Sequence, residues 1–210
     1  MIGEDEDSSI RARMCAIRLF EDRASSEADQ RTIHIFGVNR GGTTAVSGLV
    51  SRLGIYLGSE VGTNLEDRDF RLKRGLPAIL ESVRERNEQF DVWGWKHPHS
   101  NGYIDDVLPH LRNPRFIAVT RDLTANAIGM YARDDAGFPK ALRFALKQTR
   151  RNLSFVNDKK RPTLMVSYEK LLVRTRQTAV EIADFCGAEM TEERMQEIIE
   201  FVTPGRYQPE

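Results

Sequence analysis

The sequence predicts a single α/β domain in which a central parallel sheet is flanked by helices, and three observations carry that expectation. A short apolar run, Ile33-His34-Ile35-Phe36-Gly37-Val38, leads into a glycine-rich turn and then into helical spacing at Val46, Leu49, Val50 and Leu53. Further strand-like runs alternate with helical patterns down the chain, which implies βαβ crossovers. The length of 210 residues and the 40% apolar content suit one domain with a sizeable core.

Each element has its own signal. Residues 1–31 are charged and weakly patterned, and read as an N-terminal extension that is partly helical or disordered, with Ile10, Met14 and Ile17 on one helical face. The domain proper is expected over 32–210. Gly54 stands where the first helix should stop. Leu76, Ile79, Leu80 and Val83 predict a second helix, and Phe90-Asp91-Val92-Trp93-Gly94-Trp95 a strand that ends in Lys96-His97-Pro98-His99. Ile104, Val107, Leu108 and Leu111 suggest another helical face, interrupted by Pro109. Phe116-Ile117-Ala118-Val119-Thr120 predicts a strand with Arg121-Asp122 at its end. A long helix follows, carrying Leu142, Ala145, Leu146, Thr149, Leu153 and Val156. Pro162 opens a last strand, Leu164-Met165-Val166-Ser167-Tyr168. Two closing helices hold Val180, Ala183 and Phe185 before Gly187, then Met195, Ile198, Ile199 and Val202.

Composition excludes several classes of function. Lys+Arg and Asp+Glu both number 31, so there is no basic excess of the kind that marks nucleic-acid binding. No apolar run is long enough to cross a bilayer, and the acidic start Met-Ile-Gly-Glu-Asp-Glu-Asp has no signal-peptide pattern. Cys15 and Cys186 form neither a metal spacing nor a disulfide framework, so a cytoplasmic, reducing location is expected.

Gly37-Val38-Asn39-Arg40-Gly41-Gly42-Thr43-Thr44 has the length of a phosphate-binding loop between strand and helix. Glycines let the backbone bend around an anion, and the helix N-terminus adds partial positive charge. Position 43 is threonine where a nucleotide triphosphatase has lysine, and Arg40 supplies a cation from within the loop.

Four blocks in order make the chain resemble the sulfotransferase family, which uses 3′-phosphoadenosine 5′-phosphosulfate (PAPS). Residues 37–44 resemble its 5′-phosphosulfate loop, and Trp95-Lys96-His97-Pro98 its K-x-P segment. Residues 116–131 are similar to its strand–Arg-Asp–helix unit, and Ser167-Tyr168-Glu169-Lys170-Leu171 to its Tyr-Glu-Asp-Leu block. The resemblance implies a P-loop-like sulfotransferase architecture and transfer of a sulfuryl group from PAPS to a hydroxyl acceptor, with 3′-phosphoadenosine 5′-phosphate (PAP) as product. It implies that Arg40, Gly41, Gly42, Thr43 and Thr44 hold the 5′-phosphosulfate, that Arg121 pairs with the 3′-phosphate, and that Tyr168 lies near the adenine. Arg40 and Lys96 would stabilise the charge of the transferring group, without a metal. The chain departs from the family at Leu123, where proline is usual, and at Gly41 and Gly129, where serine is usual. Pro204-Gly205-Arg206-Tyr207 is all that stands for the family's C-terminal Arg-Lys-Gly segment.

The acceptor proton needs a base. Glu60 and Glu66 follow the loop helix, and the resemblance favours Glu66, in Asn64-Leu65-Glu66-Asp67; a helix-start carboxylate is its other reading. His97 and His99 are rivals, with His99 retained beside Arg40, Glu66 and Lys96 in the catalytic set. Trp93 and Trp95 read as core rather than as an acceptor wall, and His34 as structural. Residues 54–74 and 134–139 are the expected acceptor walls. Two other functions stay open: a Mg–ATP kinase or nucleotide triphosphatase with Asp122 as metal ligand, and a catalytically silent binding protein on the same fold.

Overall fold

The computed structural model describes residues 14–23, 27–59, 61–97, 100–132 and 137–203. Strands β1 (Ala16–Leu19), β2 (Arg31–Gly37), β3 (Val92–Lys96), β4 (Pro114–Thr120) and β5 (Thr163–Ser167) form one sheet in the order β1-β5-β4-β2-β3. β2, β3, β4 and β5 run parallel, so their C-terminal ends share one edge, whereas β1 lies antiparallel to β5. The helices are α1 (Thr43–Arg52), α2 (Leu76–Gln89), α3 (Ile104–Val107), α4 (Leu123–Tyr131), α5 (Phe138–Lys159), α6 (Tyr168–Val173), α7 (Thr175–Cys186) and α8 (Glu192–Val202). None among the described residues is long and apolar enough to cross a membrane.

β2 is buried along its whole length because helices cover both faces of the sheet. Its alternation sorts two chemically different cores. Ile33 and Ile35 join Ile117, Val119, Leu49, Ile182 and Ile198 in an aliphatic layer against α1, α7 and α8. Phe36 joins Phe116, Trp93, Trp95, Phe70 and Phe155 in an aromatic layer under α2, α3 and α5. Trp93 and Trp95 have no exposed surface and are core, as expected. His34 lies in the aromatic layer, 4.5 Å from the Trp95 ring and 5.1 Å from Phe36. Burial holds its pKa down to about 3, so it is neutral at ordinary pH.

Four sequence expectations are corrected. Ile17 lies in a strand rather than on a helical face, and is 57% exposed; Met14 precedes that strand, and Ile10 lies outside the described residues. The sheet therefore takes in part of the 1–31 segment. β1 is only four residues long and depends on remote partners: the N–H groups of Cys15 and Ala16 donate to the Glu181 carboxylate on α7. Pro109 splits the expected 104–111 helix into the single turn of α3 and a 3-10 turn, Leu108–His110. On α5, Ala141, Ala145, Phe155 and Val156 face inward, while Leu146 and Leu153 are 57% and 44% exposed. Val180 on α7 is likewise half exposed, since Thr178, Ala179 and Ile182 take the core face.

Candidate active site at the C-terminal edge of the sheet

The chain leaves β2 toward β3 and leaves β4 toward β5, so β2 and β4 flank a topological switch point. Ligands of open α/β sheets bind in such crevices. The 37–44 loop occupies this place. Arg40 and Gly42 both adopt left-handed conformations, with φ of 62° and 88°. The Gly41 N–H donates to the Val38 carbonyl at 2.8 Å, which closes the turn. Gly42 is obligatory for two reasons. Its φ disfavours any side chain, and a Cβ there would stand 2.1 Å from Cδ2 of Tyr168. It begins α1 without a side-chain cap, and the first turn of α1 carries no acid. The amides at this helix start are therefore available to an anion.

The end of β4 braces the loop. Arg121 Nη1 donates to the Arg40 carbonyl at 2.7 Å, and Asn126 Nδ2 to the Asn39 carbonyl at 2.8 Å. The Arg121 guanidinium also lies 5.0 Å from the centre of the Tyr168 ring. Tyr168 opens α6 directly after β5, and Ser167 caps that helix by accepting from the Lys170 N–H. Gly129 faces the same point: a Cβ there would lie 3.5 Å from Cβ of Arg40 and 3.8 Å from Nη1 of Arg121. Asp122 is the N-cap of α4, its carboxylate accepting from the Ala125 N–H at 2.8 Å.

On the other side of the loop is a second cluster. Lys96 ends β3 and is 3% exposed. Its ammonium donates to the Asn64 carbonyl at 2.5 Å and to Thr44 Oγ1 at 3.4 Å, and lies 3.5 Å from Glu66 Oε1. Thr44 Oγ1 in turn donates to the Asn64 carbonyl at 3.2 Å. Burial pulls the Lys96 pKa below its ordinary value; Glu66 opposes that pull, and the charge of Arg40 adds to it. The Glu66 side chain keeps 23% exposure, so it reaches both the buried ammonium and the open side. It does not cap the following turn: Asp67 does, accepting from the Asp69 N–H at 3.0 Å.

The structure thus brings Arg40, Gly41, Gly42, Thr43, Thr44, Arg121 and Tyr168 together, with Glu66 and Lys96 beside them. His97 is buried, with its ring 6.2 Å from Tyr103. His99, Glu60 and residues 133–136 lie outside the described residues. Sequence reasoning did not find the Asn64 carbonyl or the partners of Asp67, because backbone acceptors and tertiary ion pairs leave no local spacing to read.

No protein-family model matches this sequence, and no curated protein does. Solved structures do. The mouse sulfotransferase SULT7A1, crystallised in complex with PAP, is similar with a TM-score of 0.53 and 15% identity, over 87% of this chain and 69% of that one. The sulfotransferase domain of the Synechococcus PCC 7002 olefin synthase is similar with a TM-score of 0.57 and 16% identity, over 80% and 77%. The five-stranded sheet, its flanking helices and these likenesses agree: the chain has the sulfotransferase fold.

Proposed function

We propose that the protein transfers a sulfuryl group from PAPS to a hydroxyl acceptor. One observation carries the reading: an uncapped helix start, three cations and a carboxylate converge where β2, β3 and β4 end. PAPS supplies the activated sulfuryl group, bonded to a phosphate oxygen. The residues present fit such a donor. The α1 amides, Arg40, Thr43 and Thr44 would hold the 5′-phosphosulfate, Arg121 the 3′-phosphate, and Tyr168 the adenine. Glu66 takes the proton of the acceptor hydroxyl, and Lys96 and Arg40 offset the negative charge that gathers on the departing phosphate. These cations can serve that purpose on their own, and the Asp122 carboxylate is engaged as a helix cap, which weakens a Mg–ATP reading.

Calorimetry with PAP, followed by transfer from labelled PAPS to a broad panel of hydroxyl acceptors, tests the proposal. Saturable PAP binding together with label transfer that falls on Arg40→Ala is the expected result. A protein that ignores PAP is no sulfotransferase, and one that binds PAP yet transfers to nothing is a silent binder.

A further inference from the structure

The segment bearing Glu66 is held from behind by a buried ion pair that takes no part in the chemistry above. Asp67 has no exposed surface, and Arg86 of α2 is 4% exposed. Arg86 Nη1 donates to Asp67 Oδ2 at 2.5 Å and its Nη2 to Asp69 Oδ2 at 3.0 Å. The guanidinium lies 5.2, 4.9 and 5.5 Å from the ring centres of Tyr56, Phe70 and Trp93, inside the aromatic layer. The chain makes room for this arrangement at Gly58, whose φ is 114° and whose added Cβ would stand 2.7 Å from Asp67 Oδ2.

This pair controls more than its own loop. The Asp67 N–H donates to the carbonyl of Lys96 at 3.4 Å, so the residue after Glu66 is pinned to the backbone of the lysine that Glu66 faces. On the near side, the Glu66 N–H donates to Asn64 Oδ1 at 3.1 Å, and Leu65 is held at a φ of 56°. A left-handed leucine is strained unless its surroundings fix it. Buried ion pairs seldom exceed well-packed apolar residues in stability, and their best attested use is to fix register. We infer that Asp67 and Arg86 are positioning residues, setting the height of the 61–69 segment over β3 and so holding the Glu66 carboxylate and the Asn64 carbonyl against Lys96. Their effect on turnover rests on the sulfuryl-transfer reading; their effect on Lys96 does not.

The test is the double variant Asp67→Leu/Arg86→Met, which exchanges the pair for apolar groups, with Arg86→Lys as a gentler second variant that keeps the charge and loses the fork. Three quantities are read: PAP affinity by calorimetry, PAP released from PAPS in water, and the titration of Lys96. The last uses carbon-13 NMR of protein labelled at the lysine Cε, with the signal assigned by Lys96→Arg. PAP affinity should stay within about threefold, while PAP release falls about tenfold or more, as expected when a reacting group shifts by a fraction of an ångström. In both variants the Lys96 titration should move away from the parent's, downward where the Glu66 carboxylate draws off and upward where water replaces the burial. A Lys96 titration unchanged from the parent in a folded variant overturns the inference, as does release that falls only in step with the folded fraction. If the double variant does not fold, Arg86→Lys decides by the same readings. If the parent protein does not bind PAP, sulfuryl transfer fails as a reading, and the Lys96 titration still decides whether the pair positions this cluster.

Discussion

The 37–44 loop and the 64–67 segment meet at Thr44, yet they are built by different means. The loop takes its bend from its own backbone, through two left-handed residues and a turn closed by the Gly41 N–H, and Arg121 and Asn126 then brace its carbonyls from outside. The 64–67 segment takes its shape from side chains far away, through Arg86 behind Asp67 and through Lys96 beneath Asn64 and Glu66. A receptor for a fixed anion can be encoded within a short stretch of chain. A cluster that must hold a carboxylate close to an ammonium depends on the packing of remote elements, and Thr44 and Lys96 are 52 positions apart.

The largest effect that would sharpen this contrast is Lys96→Ala. Removing the buried ammonium takes away the stabiliser proposed for the developing charge and the partner of Glu66, while the loop keeps its own hydrogen bonds. Sulfuryl transfer should fall by about 10²–10³-fold, the range found on removing one preorganised donor, with PAP affinity changed little. Single-turnover assays beside calorimetry separate the two. A loss that appears mainly in PAP affinity would merge the two regions into one.

Gly42→Ala probes the other side. The substitution puts a methyl group at a φ of 88° and into the Tyr168 ring. Strain and overpacking of this kind cost about 2–4 kcal/mol, visible as a lower midpoint in urea, and PAP binding should be lost with the loop geometry. An alanine variant that unfolds and binds PAP like the parent would show that the loop tolerates other shapes.

The same division decides what could be read from the sequence. Strands β2, β4 and β5 and helix α1 were legible because apolar periodicity and glycine placement are local. Arg40 and Gly42 were singled out by the spacing of the glycine loop, whereas Arg121 and Tyr168 were singled out only through the family resemblance; the structure sets Arg121 against the Arg40 carbonyl and the Tyr168 ring. β1 was not legible, since four residues of strand are stabilised by β5 and by the Glu181 carboxylate. Nor was the placement of Leu146 and Leu153: helical spacing marks a face, and in α5 the face that meets the sheet is the one carrying Ala141 and Ala145. Glu66 was selected by a segment resemblance, whereas its contact with Lys96 follows from the tertiary anchoring of Asp67.

Acid offers a graded perturbation, aimed at the aromatic layer beneath the 64–67 segment. His34 has a folded pKa of about 3 against 6.5 for the free side chain. Above pH 6.5 it is neutral whether folded or unfolded, and the full stability is present. As pH falls from 6.5 toward 3, the unfolded chain takes up a proton that the folded core refuses. Stability therefore declines, by roughly 1 kcal/mol per pH unit once the transition is under way. His34→Phe, which suits the stack with Trp95 and Phe36, should flatten that decline in urea titrations run at a series of pH values. A variant as acid-sensitive as the parent would move the cause to another group.

The smallest change expected is a gain, at Gly129. This position faces both Arg40 and Arg121, and an added Cβ would meet them at ordinary van der Waals distances of 3.5 and 3.8 Å. A serine therefore fits without displacing the guanidinium, and it adds a hydroxyl beside the cation assigned to the 3′-phosphate. A hydrogen bond to a charged group contributes about 1.5–3 kcal/mol at best, and part of it is spent on fixing the hydroxyl rotor. Gly129→Ser should accordingly tighten PAP by about three- to tenfold and leave adenosine 5′-phosphate, which lacks the 3′-phosphate, unaffected. The ratio of the two affinities is the useful quantity, because serine also favours helix over glycine and stabilises α4 whatever binds. An unchanged ratio would move the 3′-phosphate away from Arg121, and leave the braced loop with Arg40 as the part of the donor site on that side of Thr44.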